Sequence, residues 1–316
     1  MKLLYFDDFK LGVLKGDNTV VDVSAIVRDI PHTGPGDLMN GLIERFAAYR
    51  GKLEAAAASG HGVPVAGVRI RPPLPKPVNI DCMAVNYMED GTRKEPALIN
   101  AFHKSPGAII GNGDTMVLPD APATIFEGEA ELALIIGKRA SHVSQANAMD
   151  YIFGYTNFID GSARGLPAGG FFHMKSRDTF APIGPYIVTK DEVPDPQKLQ
   201  IRLWNNGTLY QNFNTSDMAH KIPRCIEWLT SIHTLEPGDI VASGTNHRGL
   251  NPFMDGDKVE IEIDGLGRLG FNIKDELKRK WDRRTRLQCH EAAAQKTPGA
   301  YPDYTPQIAG KHAKAA

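Results

Sequence analysis

The chain of 316 residues has few cysteines and no long apolar run, and each lack closes off a class of protein. Cys82, Cys225 and Cys289 are an odd number at wide spacing, and no two lie close enough to read as a metal motif. They fit reduced thiols in a cytoplasmic protein better than a disulfide framework. No apolar stretch approaches the roughly 20 residues that span a bilayer. The opening MKLLYFDDFKLG sets Asp7 and Asp8 inside any apolar core, so no signal peptide is expected there. An excess of one charge is also missing: 36 Lys and Arg stand against 37 Asp and Glu. That balance gives no reason to expect nucleic acid or an acidic membrane as partner. An internal repeat and a regular strand–helix alternation are absent too, which argues against a Rossmann or TIM-barrel arrangement.

Glycine and proline are plentiful, 31 and 22 residues, and they punctuate many short strand-like runs. Residues 1–75 read as a small N-terminal domain. Its strands (KLLYF, LGVLKG, TVVDVS) precede one helix, LMNGLIERFAAYRGKLEAAAA, for which Asp37 is the expected cap. RPPLPKP, residues 71–77, reads as a linker. Residues 76–273 read as the main domain, mostly β: GAIIG, TMVLP, ELALIIG, GYTNFID, GPYIVT, DIVASG and DKVEIEI are strand-like. Asn206–Gly207 between two such runs predicts a hairpin. Short helices are expected at Ser144 to Asp150 and at Met218 to Ile232, the latter containing Pro223. MEDGTRKEPALI, residues 88–99, reads as a mobile loop or short helix. Residues 274–316 read as a charged helix with a solvated basic face, then a low-order peptide. The fold class expected is α+β, mainly β.

FEGEAELALIIG sets Glu127, Glu129 and Glu131 at every second position of one strand, so the three carboxylates share a face. Like charges on a buried face repel unless a cation or proton intervenes. The ordinary outcome is pairing with Lys or Arg, or a solvated face. The strand GYTNFID ends in Asp160, however, and an Asp there can enter the same site. Two Glu and one Asp are oxygen ligands, suited to Mg²⁺ or Mn²⁺, with Ca²⁺ also accommodated, and not to Zn²⁺. Three protein ligands leave positions open for substrate.

Across residues 78–273 the sequence resembles the fumarylacetoacetate hydrolase family. The resemblance is carried by Asn86–Tyr87, EAELALIIG (129–137), FIDGSARG (158–165), MKSRDTFAPIGP (174–185), NGTLYQNFNTSDM (206–218) and LEPGDIVASGTNHRG (235–249). It implies a mixed β-roll catalytic domain, usually a homodimer, and Glu129, Glu131 and Asp160 as metal ligands. Glu127 falls one step before the motif. Lys175 matches the family's active-site lysine, and Arg164, Thr245 and Tyr87 fall at positions near the ligand. The reaction implied is hydrolysis of a carbon–carbon bond beside a ketone in a small 2,4-dioxo acid. Isomerisation, tautomerisation or decarboxylation of a related 2-oxo acid is the alternative, and a metal-binding but silent protein a third.

The sequence departs from the family where its hydrolytic members carry a His and a Glu that activate water soon after Asn-Tyr. Here the stretch reads NYMEDGTRKEP, with no His between Tyr87 and His103. The missing base moves to Glu89, Asp90 or Glu95, or is lost. His247 and Arg248 stand where the family has other residues and are candidate substrate contacts. Gly165 stands where the family usually has Asp, and His220–Lys221 replaces apolar or small residues.

Overall fold

The strand Ile125–Ile136 is buried along all of its 12 residues, its three glutamates included. The structure is a computed structural model that describes residues 1–16, 18–167, 169–296, 305 and 307–313. Ile125–Ile136 pairs antiparallel with Ile152–Arg164, and together they form the spine of the larger sheet. On one side Ala181–Thr189 follows, then Lys2–Phe6, Lys10–Lys15 and Thr19–Asp22. On the other side lie Ile240–Ala242, Ile80–Met83 and the edge strand Ala101–His103. The strands of the first 75 residues thus continue the sheet that carries the carboxylates. A second sheet orders Thr208–Asn214, Gln200–Asn205, Lys258–Ile263, Arg268–Lys274 and Thr115–Val117. Period-2 burial runs along Lys258–Ile263, whose Val259, Ile261 and Ile263 face the core.

The main core fills the space between these sheets. A second core lies on the other face of the larger sheet, beneath the helices Pro35–Glu44 and Phe46–Ser59. Burying Met39, Leu42 and Ile43 stabilises the first of these by about 1.5–3 kcal/mol per side chain.

The expected hairpin forms, with Asn206 and Gly207 at φ 51° and 79°, as a two-residue turn requires. The one expected helix is two, broken at Arg45, which leaves helical geometry at φ −105°, ψ 13°. Apolar spacing runs unbroken through this point, so the pattern hides the break. Asp37 does not cap the first helix. Gly34 precedes it and Pro35 opens it, while Asp37, in the first turn, accepts a hydrogen bond from the Thr33 amide at 3.2 Å. Pro223 lies in the first turn of Ile222–Ile232, where its missing N–H costs nothing. No helix starts at residue 274. The strand Arg268–Lys274 ends there, Lys280–Trp281 pairs with Gln307–Ala309, and the helix begins at Arg286. Of the basic cluster, Lys274, Lys278, Lys280 and Arg284 are exposed as a solvated face requires, but two arginines turn inward. Arg279 is fully buried against Asp275, and Arg283 grips Asp257, because these cations satisfy carboxylates inside the fold. Of the terminal peptide, residues 297–304, 306 and 314–316 lie outside the described residues. Among the described residues no helix is long and apolar enough to cross a membrane.

Candidate active site

The antiparallel register sets Glu129 directly opposite Asp160, and strand alternation adds Glu131 on the same face. Ligand oxygens of Glu129, Glu131 and Asp160 lie within 4.8 Å of one another, and all three residues are buried. This donor set, all oxygen and all anionic, fits a divalent cation of the hard class. Burial first, and Asp160 next to it, push the Glu131 carboxyl up to about 8. A cation among the three would hold it ionised.

Cations of the chain surround the acids. Lys175, the last residue of the short helix Phe171–Lys175, bonds Asp160 and lies 3.1 Å from Glu129. Lys104, just past the edge strand, donates to Asp160 at 2.6 Å and to the carbonyl of Gly161 at 3.0 Å. Burial pulls the pKa of both lysines down, and Asp160 opposes it. Arg164 bridges Glu127 and Glu129. Glu127, which also pairs with Arg286, is buried: burial would raise its carboxyl, but Arg286 and Arg164 outweigh this and hold it at about 2. Glu127 therefore spaces two arginines and is not solvated.

The Gly-Thr loop after Ile240–Ala242 closes the site. Gly244 sits at φ +85°, and a Cβ there would press on Asn86 at 3.0 Å. Its N–H donates to Glu131 at 2.7 Å. The Thr245 hydroxyl donates to the carbonyl of Ala130 and accepts from Gln211, so here it braces the loop. Tyr87 is fully buried, edge-on to Phe213 at 5.1 Å between ring centres.

One pair is reached from two distant segments. The backbone at Glu89 is left-handed, φ 56°, and turns the side chain inward. Its carboxylate accepts from the His247 backbone N–H at 2.9 Å and from His247 Nδ1 at 2.6 Å. With Nδ1 as the donor, Nε2 keeps its lone pair, and Nε2 lies 3.9 Å from Glu129 Oε1. Burial lowers the His247 pKa, with Glu89 pulling the other way. Asp90 is exposed and meets Arg248 at 3.2 Å, and Glu95 is exposed on the outer loop. Residues 88–99 form turns without a helix. The cleft in front of the pair holds about 740 Å³ and is lined by Arg93, Arg164, Arg248 and Arg286 beside Glu89 and His247.

Lys104, Arg286 and Gln211 escaped the sequence reading. Each reaches the site across a wide gap in sequence, with no local pattern to mark it.

Residues 80–274 match the sequence profile described as fumarylacetoacetate (FAA) hydrolase, C-terminal. The chain is 33% identical to oxaloacetate tautomerase YisK of Bacillus subtilis over 287 residues, 83% of this chain and 95% of that one. It is 30% identical to maleylpyruvate hydrolase of Aquipseudomonas alcaligenes over 290 residues, 87% of this chain and 99% of the relative. Among solved structures, maleylpyruvate hydrolase from Sphingobium sp. SYK-6, in complex with manganese(II) and pyruvate, superposes with a TM-score of 0.79. The two are 37% identical, over 87% of this chain and 99% of that one.

Proposed function

The chain belongs to the fumarylacetoacetate hydrolase family, and from that premise we propose that it hydrolyses a carbon–carbon bond beside a ketone in a small acylpyruvate-like 2,4-dioxo acid. Glu129, Glu131 and Asp160 would hold Mg²⁺ or Mn²⁺. The observation that carries the reading is the His247–Glu89 pair, a base and its orienting carboxylate beside the carboxylate cluster.

The bound cation supplies Lewis-acid stabilisation of the oxygen on which negative charge develops. Arginines along the cleft draw in the anionic oxo acid. Arg164, fixed by Glu127 and Glu129, keeps the carboxylates in place. His247 Nε2 takes a proton from water, and the hydroxide oxygen bonds to the distal ketone carbon. Glu89 holds the imidazole in the required tautomer and stabilises the imidazolium that forms. The carbon–carbon bond then breaks, its electron pair passing to the 2-oxo fragment as an enolate. Lys175, made more acidic by burial, lies where it can return a proton to that fragment. The products are a shorter carboxylic acid and a 2-oxo acid, and water supplies the added oxygen and hydrogens.

Tautomerisation of a 2-oxo diacid is the second reading. The likeness to a relative named oxaloacetate tautomerase favours it, and it needs the same base without water attack. Incubating the protein and Mn²⁺ with acylpyruvates and 2-oxo diacids in ¹⁸O-water separates the two. We expect a shorter acid carrying the label. Unlabelled isomers or decarboxylated products from every substrate would overturn the hydrolytic reading.

A further inference from the structure

A second cluster lies at the edge of the larger sheet. Asp81 on Ile80–Met83 is in register with His103 on the edge strand, so both side chains leave the same face. His233 joins them from the residue after the helix Ile222–Ile232. His103 Nδ1 and His233 Nε2 each stand 3.2 Å from Asp81 Oδ1. The ligand atoms of the three residues lie within 4.8 Å of one another.

Three observations set this apart from an ordinary ion pair. First, His233 Nδ1 lies 3.1 Å from the carbonyl of Thr234, which can only accept, so Nδ1 is the donor. His233 Nε2, which faces the Asp81 carboxylate oxygen, is then the nitrogen left to take up a proton shared with Asp81 or a metal ion. A ring N–H on a backbone carbonyl with the other nitrogen facing outward is how metal-bound histidines are oriented. Second, Asp81 is 2% exposed, and its Oδ2 has no hydrogen-bond partner among the described residues. Burial pushes its carboxyl up, and Asp239 adds to this, while the two histidines oppose it. Third, bonds of about 2.0 Å to a tetrahedral ion put ligand atoms about 3.3 Å apart, close to the 3.2 Å that separates Asp81 Oδ1 from each histidine nitrogen.

We propose that Asp81, His103 and His233 form a second metal site, separate from the oxygen-only cluster, that takes a borderline ion of the Zn²⁺ class. Two imidazoles and one carboxylate suit Zn²⁺ or Co²⁺, and the half-exposed position leaves the fourth place to water. Bound there, the ion ties the edge strand to the end of Ile222–Ile232. It also fixes the strand that leads directly into Lys104.

The test uses the full chain in excess Mg²⁺, with Zn²⁺ as the calorimetric probe and Co²⁺ as the spectroscopic one. One Zn²⁺ should bind per chain and survive Glu131→Ala, which removes an oxygen ligand of the other cluster. Co²⁺ should give the strong visible bands of a four-coordinate nitrogen-containing site. His103→Ala and His233→Ala should each weaken Zn²⁺ at least tenfold and abolish those bands. His103 is exposed, so its replacement leaves the fold in place. Equal Zn²⁺ affinity in wild type, His103→Ala and His233→Ala would overturn the site, as would the absence of Zn²⁺ binding in excess Mg²⁺.

Discussion

Glu89 and Asp90 are consecutive residues with φ near 55°, and the β-branched Val85 shares that geometry. Such conformations cost about 1–3 kcal/mol each and persist where surrounding structure holds them. Here they aim one carboxylate at one imidazole. His247→Ala should lower kcat by about 10²–10⁴ with metal binding intact. Glu89→Gln should act more mildly, because the imidazole stays and the one amide oxygen still accepts from one of the two N–H groups of His247. The pH profile gives a separate sign. A base must be neutral to act, and burial lowers the His247 pKa, so the acidic limb of kcat/KM should fall below the ordinary imidazole value near 6.5. Glu89 opposes that lowering, so its loss should move the limb to still lower pH. An unmoved limb in Glu89→Gln would separate the pair from the reaction. Lys104 makes a different kind of contribution. It is fully enclosed against Asp160, and Lys104→Met leaves a buried carboxylate short of a partner. Urea unfolding without added metal should show a loss of about 3–5 kcal/mol.

The helix Arg286–Lys296 begins inside the site, where Arg286 meets Glu127 on the strand Ile125–Ile136. The Glu127 carboxyl is lowered from 4.5 to about 2, so its contribution to stability is complete above pH 4.5 and is lost as pH falls toward 2. Arg286→Ala removes one of the two cations responsible. The stability gap between wild type and variant should be widest near neutrality and close between pH 4.5 and 2, as read by urea unfolding at several pH values. What the sequence revealed follows this division between local and distant. Alternation along FEGEAELALIIG shows a shared carboxylate face because a strand's period is local, and Asn206–Gly207 shows its turn for the same reason. Asp160 was legible as a carboxylate on an apolar strand, but the strand expected to end there runs on to Arg164. Lys104, Arg286 and the His247–Glu89 contact depend on sheet order, which no stretch of residues records. The break at Arg45 was hidden because both helices keep one apolar spacing.

Where the two sheet strands and three other segments of the molecule converge, four buried acids (Glu127, Glu129, Glu131, Asp160) meet four cations (Lys104, Lys175, Arg164, Arg286). A divalent ion would add positive charge that an anionic oxo acid then balances. Mn²⁺ at about 100 times its dissociation constant should stabilise the fold by about 2.7 kcal/mol, seen as a chelator-reversible rise in Tm. Glu131→Ala should abolish the rise. Because Glu131 must lose a proton first, Mn²⁺ affinity should increase as pH climbs toward about 8. His247 and Glu89 lie 158 positions apart, on two loops that meet only in the finished fold. For inheritance and for engineering alike, the two loops are therefore a single unit. A chimera that takes only residues 88–99 from a relative strands His247, one that takes only the Gly-Thr loop strands Glu89, and a working exchange must carry both.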